Sequence, residues 1–163
     1  MNKIYFSKVK ADGIIPSKRE EDGAFDVYAC FEDDYILIDP HETKSIPTGI
    51  ASAFGTDYVA ILKERGSTGT KGIGQRCGVI DSGYRGQWFI PLTNHNNTPL
   101  VIAKEKSAKL FTEDTTIIYP YEKAIAQCLM VVVPKLTIEE ISHEDLLNIE
   151  SERGTGALGS SGK

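Results

Sequence analysis

The stretch Trp88-Phe-Ile-Pro-Leu-Thr-Asn-His-Asn-Asn-Thr-Pro-Leu-Val-Ile-Ala103 holds two short β-type runs, Trp88 to Thr93 and Leu100 to Ala103, with an Asn96-Asn97 turn signal between them. Outward from it the same pattern recurs in both directions. Ile4 to Val9, Val27 to Phe31, Tyr35 to Ile38, Tyr58 to Leu62, Thr115 to Tyr119 and Cys128 to Val133 all read as strands, punctuated by Gly23, Pro40, Gly55, Pro120 and Pro134. Many short strands without an alternating helical pattern predict an all-β sandwich or barrel. The one helix expected lies between Ile138 and Ile149, where Ser142 and Asp145 resemble a capping box ahead of Leu146-Leu147.

Composition narrows the function classes. The chain has 163 residues, 40% hydrophobic and 25% charged, which is ordinary for one globular domain. No window approaches the ~18 apolar residues of a membrane span, and the opening residues are too polar for a signal peptide. A soluble, cytoplasmic protein with no membrane association is expected. Cys30, Cys77 and Cys128 are odd in number and far apart, and His41, His95 and His143 are equally scattered. Neither a disulfide framework nor a zinc site is suggested, so any metal is expected to arrive with the ligand. A formal charge of -5 argues against broad nucleic-acid binding.

That charge is uneven. From Lys63 to Arg85 five basic residues (Lys63, Arg65, Lys71, Arg76, Arg85) stand against Glu64 and Asp81, a local balance of +3. The same segment carries glycines at 66, 69, 72, 74 and 78, interleaved with Ser67, Thr68 and Thr70. Exposed backbone N–H groups and hydroxyls beside fixed positive charge are how a loop holds phosphate oxygens. By composition alone it reads equally well as a solvated basic face, and it contains no P-loop pattern. Val79-Ile80-Asp81-Ser82-Gly83-Tyr84 is an apolar run entering a tight turn. Asp81 is there either a turn former or a partly desolvated general base. The tail Arg153-Gly-Thr-Gly-Ala-Leu-Gly-Ser-Ser-Gly-Lys163 has four glycines in eleven residues, so it reads as a mobile arm or a frayed terminus.

Several of these segments, taken in order, resemble the trimeric dUTPase family over nearly the whole chain. Gly23-Ala-Phe-Asp26-Val-Tyr-Ala-Cys30 looks like the first family motif, Arg65-Gly-Ser-Thr-Gly-Thr-Lys71 like the second, and Gly78-Val-Ile-Asp81-Ser-Gly-Tyr84-Arg-Gly86 like the third, which is the most specific. Ala124-Ile-Ala-Gln127-Cys-Leu-Met-Val-Val-Val-Pro134 is similar to the fourth and the glycine-rich tail to the fifth. The resemblance implies a jelly-roll-like β-barrel assembled as a homotrimer, with residues 1–152 as the β-domain and 153–163 as an arm closing a neighbouring site. It implies hydrolysis of dUTP to dUMP and pyrophosphate, which keeps uracil out of DNA and supplies dUMP for dTMP synthesis. Carried over by position, Arg65, Gly66, Ser67 and Gln127 would hold the phosphates. Val79 and Ile80, with Gln75 nearby, would pair with uracil, Tyr84 would lie under the deoxyribose, and Phe89 would line the nucleoside pocket. Arg153, Leu158, Gly159, Ser160 and Ser161 would close the site. Asp81 would activate the attacking water, and Mg²⁺ would be held by substrate phosphates and water rather than by protein ligands.

The chain also departs from the family pattern. Gly66 stands where a serine is usual, Leu158 where a phenylalanine covers the base, and an insertion falls around 111–123. That insertion is expected to be functional or a surface feature, and a regulatory protein partner docking on it is an alternative role. A dCTP deaminase shares the fold but needs a glutamate where this chain has Pro91.

Overall fold

The computed structural model describes residues 3–156. In chain order these form β1 (Ile4–Lys8), β2 (Phe25–Val27), β3 (Tyr35–Ile38), β4 (Thr43–Pro47), β5 (Ile50–Phe54), β6 (Tyr58–Lys63), α1 (Gly66–Gly69), β7 (Ile73–Gln75) and β8 (Val79–Ile80). There follow β9 (Phe89–Asn94), β10 (Leu100–Ala103), α2 (Glu105–Ala108), β11 (Ile117–Pro120), β12 (Ala126–Val132) and α3 (His143–Leu147). The all-β expectation therefore holds. The strands make four small sheets, ordered β1-β5, β11-β10-β3, β2-β12-β6-β8 and β4-β9-β7, and no closed barrel is found among the described residues. Pairing is antiparallel except between β10 and β11.

The inner faces meet in one core. Trp88, Ile38, Ile46, Ile50, Leu62, Ile90, Leu92 and Leu100 are fully buried. Trp88 is the largest of them, and its polar edge is satisfied: Nε1 donates to Ser52 Oγ at 3.1 Å, and its carbonyl accepts from Thr48 Oγ1 at 2.7 Å. A buried indole N–H needs such a partner. Asn94, also fully buried, closes the end of β9, donating to the carbonyls of Ile38 (3.1 Å) and Thr98 (2.8 Å). The β4–β5 corner turns on Gly49, whose φ is +67° and where a Cβ would come within 2.7 Å of Cys30 Sγ. Only glycine fits there.

Four strands escape the sequence pattern. β4 is Thr-Lys-Ser-Ile-Pro, mostly polar, and is recruited by its ladder with β9, while β5 (Ile-Ala-Ser-Ala-Phe) is set by burial. β7 and β8 lie inside the glycine-rich segment read as a loop. The first motif pairs two residues earlier than expected, because Phe25–Val27 is the part that faces β12. Ser142 does cap a helix, accepting from the Asp145 N–H at 3.0 Å, but α3 is only five residues long and buries none of them. The segment around 111–123 is more than an appendage: β11 pairs with β10, and Tyr119 is buried with its hydroxyl donating to Ala124 O at 2.6 Å. Beyond β12 the chain leaves the core, with Leu136 and Ile138 80% and 97% exposed. No helix among the described residues is long and apolar enough to cross a membrane.

Candidate active site

β6 ends at Lys63 and delivers Arg65 to the mouth of a polar cavity of about 860 Å³, lined by Gly66, Ser67, Gln127 and Asp26 on one side and by Ser17, Lys18, Arg19 and Asp22 on the other. Arg65 is fixed from both ends. Its main-chain N–H donates to Thr68 Oγ1 at 2.9 Å, and its carbonyl accepts from Thr68 and Gly69 as α1 begins. Its guanidinium meets Asp26 through Nε at 2.9 Å and donates from Nη1 to Ala124 O at 3.1 Å. Asp26 and Gln127 are register partners on β2 and β12, so the strand ladder itself sets the spacing of this wall. The Gln127 amide donates to Glu64 O at 2.9 Å, which ties it to the main chain just before Arg65.

A second cavity of about 250 Å³ is lined by Cys77, Gly78, Val79, Ile80, Asp81, Tyr84, Gln87, Phe89 and Pro91. Asp81 follows β8 and closes its turn by accepting from the Tyr84 N–H at 3.1 Å. The Tyr84 hydroxyl donates to Gln87 O at 3.0 Å. The expected partial desolvation of Asp81 is not found within one chain, where its side chain is exposed. Val79 is 64% exposed and Phe89 43%, whereas the adjacent Trp88 is buried, so strand alternation does separate the two aromatics as expected.

The structure thus brings the site residues together in two groups, not one. Arg65, Gly66, Ser67 and Gln127 share the first cavity; Val79, Ile80, Asp81, Tyr84 and Phe89 share the second. β6 and β8 run antiparallel with Ala60 opposite Ile80 and Ile61 opposite Val79. Asp81 is then level with Val59, and at about 3.3 Å per residue it lies roughly 20 Å from Arg65 along the sheet. Gln75 lines neither cavity; its amide donates to Arg76 O and packs against Gly78 beside the turn. Arg153 is exposed, with Nε donating to Gly156 O at 2.8 Å, and Leu158, Gly159, Ser160 and Ser161 lie outside the described residues.

Sequence reading missed several lining residues. The charged run Lys18-Arg-Glu-Glu-Asp22 is visible in the sequence, but nothing in it points to the Arg65 wall. Cys77 has φ +56°, a conformation that its side chain does not advertise. All three cysteines are free, and burial pushes the Cys128 thiol up to about 12, so it is no nucleophile at neutral pH. The described residues contain no group of three or more His, Cys, Asp or Glu arranged to hold a metal. The phosphate-side cavity does present the carboxylates of Asp22 and Asp26, hard oxygen donors of the kind Mg²⁺ takes.

Comparison with known proteins gives a consistent result. The dUTPase family model matches residues 11–113. The deoxyuridine 5'-triphosphate nucleotidohydrolase of Nautilia profundicola is 32% identical over 165 residues, covering 99% of this chain and 99% of that protein. Among solved structures, Staphylococcus bacteriophage 80alpha dUTPase with dUpNHpp superposes with a TM-score of 0.76 at 19% identity, covering 100% of both chains. The dUTPase from phage phi11 of S. aureus, described with a structural Mg(II) ion, gives 0.69 at 16% identity over 87% of this chain and 98% of that one.

Proposed function

The chain belongs to the dUTPase family, and from that premise we propose how its two half-sites carry out the reaction. It hydrolyses dUTP to dUMP and pyrophosphate. The observation that carries the proposal is the division of the site residues between two cavities. A general base has to come within hydrogen-bond reach of the water it activates, about 2.6–3.2 Å or one water further. A separation of roughly 20 Å along an extended strand rules that out for Asp81 and Arg65 of one chain. The working site is therefore assembled between subunits: the Arg65 wall of one chain faces the Asp81 turn of a neighbour in a homotrimer of jelly-roll subunits. The exposed Val79, Phe89, Leu136 and Ile138 are the kind of apolar surface such an assembly covers.

In that site Arg65, the Gly66 and Ser67 main chain and Gln127 take the phosphate oxygens. The Val79–Ile80 backbone offers hydrogen bonds to the uracil edge, while Tyr84 supports the sugar and Phe89 the base. Asp81 orients a water in line with the α-phosphorus and takes its proton, while Arg65, with Arg153 of a closing arm, stabilises the charge that builds on the leaving pyrophosphate. Mg²⁺ supplies charge neutralisation of the polyphosphate when it arrives with the substrate. Subunit contact would also remove the water that surrounds Asp81 in one chain, which raises a carboxylate's readiness to accept a proton.

Incubating the protein with Mg²⁺ and dUTP, dCTP or dTTP, and separating the products, tests the substrate assignment. Only dUTP should be consumed, giving dUMP and pyrophosphate in equal amounts. Conversion of dCTP to dUTP would indicate deamination instead. Pro91 lines the nucleoside cavity, so it occupies a position where a glutamate would be needed for that chemistry.

A further inference from the structure

Opposite the Arg65 wall, the segment from Ser17 to Asp22 lines the same cavity and is joined to β2 by a hydrogen bond from the Asp26 N–H to Ser17 O, 2.9 Å. The Lys18 amine is turned inward. It donates to the carbonyls of Arg19, Glu20 and Asp22 at 3.2, 3.3 and 2.7 Å and lies 5.8 Å from the Phe25 ring centroid. Arg19 is placed differently. Its Nε and Nη2 meet the two Asp22 carboxylate oxygens at 2.9 and 2.8 Å, and its side chain is 87% exposed. The pattern repeats across the cavity, where Arg65 Nε and Nη2 meet Asp26 at 2.9 and 3.4 Å. Two arginine–aspartate pairs line one cavity from opposite sides.

A guanidinium has five N–H donors, and a paired carboxylate occupies two of them. An exposed ion pair in water is held weakly. A phosphate group offers the same planar, bidentate geometry with more negative charge. We propose that Arg19 is a second phosphate-binding residue: held on Asp22 in the free protein, it grips the β- and γ-phosphates of dUTP, and hence pyrophosphate, from the wall opposite Arg65. This rests on the reading of Arg65, Gly66, Ser67 and Gln127 as the phosphate wall. Glu21 lines the same side of the cavity and repels an anion, so Arg19 works against it and removal of that charge should help.

Calorimetric titration of the full chain with magnesium pyrophosphate and with dUMP tests the proposal, alongside KM for dUTP. Loss of a charge-assisted bidentate contact should weaken pyrophosphate binding about tenfold or more in Arg19→Ala. Binding of dUMP, which lacks the β- and γ-phosphates, should be unchanged. Asp22→Ala frees the guanidinium and should bind pyrophosphate at least as tightly as the parent, and Glu21→Gln more tightly. If Arg19→Ala leaves pyrophosphate binding unchanged, or Asp22→Ala loses as much as Arg19→Ala, the segment is only a structural wall. Arg65→Ala separates the two ways of failing. If it weakens pyrophosphate binding while Arg19→Ala does not, Arg19 alone is misassigned; if neither weakens it, the phosphate cavity itself is.

Discussion

Arg65 stands in its cavity already held, by the turn of α1 on its main chain and by Asp26 and Ala124 on its guanidinium. Asp81, Tyr84, Val79 and Phe89 project from a two-residue strand and a turn with most of their surface in solvent. The first half-site is shaped by its own sheet and lacks only a ligand. The second exposes apolar side chains and a catalytic carboxylate together, and lacks a surface to close on. Pre-organisation of the anion wall and incompleteness of the nucleoside wall are what a site shared between subunits requires of one chain.

On activity the largest break should come at the incomplete half. Asp81→Asn keeps the shape but cannot take a proton, so turnover should fall about 100-fold or more while nucleotide binding is retained. Steady-state kinetics with an accompanying binding titration checks it, and near-normal turnover would remove Asp81 from the mechanism. Next is the arm. Ending the chain after Glu152 leaves every buried residue in place but removes Arg153, and loss of a transition-state donor of roughly 3 kcal/mol should slow turnover about 100-fold. Unchanged kinetics in that variant would mean the tail takes no part.

The smallest effect separates the two neighbouring aromatics. Phe89→Ala should raise KM for dUTP by the equivalent of roughly 1–3 kcal/mol, more than Leu158→Ala does. Trp88→Ala should instead lower stability by about 3–5 kcal/mol through loss of the core side chain that holds Ser52. Thermal melts beside KM values distinguish them. A larger KM effect at Leu158 would place the base under the arm instead of against Phe89.

What could be read from the sequence follows the same division. Trp88–Phe89 alternation, the runs at Tyr35–Ile38 and Leu100–Ala103, and the Ser142 cap depend on local pattern, and they are found in the structure. β4 could not be read, because Thr43–Pro47 is a strand only through its ladder with β9. The Ser17–Asp22 wall was hidden for a related reason: it reaches Arg65 through the β2–β12–β6 sheet, and no spacing along the chain encodes that contact. Cys77 escaped because a positive φ on a non-glycine residue leaves no compositional mark. The insertion read as a surface feature contributes Tyr119 to the core, so substitutions at its exposed turn, Thr112 to Asp114, probe a partner role better than its deletion would.

The shared site is tested most directly by complementation. Arg65→Ala and Asp81→Asn chains are co-expressed with different tags, and assemblies carrying both tags are purified. In a cyclic trimer containing both variants, one site of the three joins an intact Arg65 wall to an intact Asp81 turn, so dUTP turnover should return to about one third of the parent value. Mixed assemblies no more active than either variant alone would contradict the account and place both half-sites in a single chain.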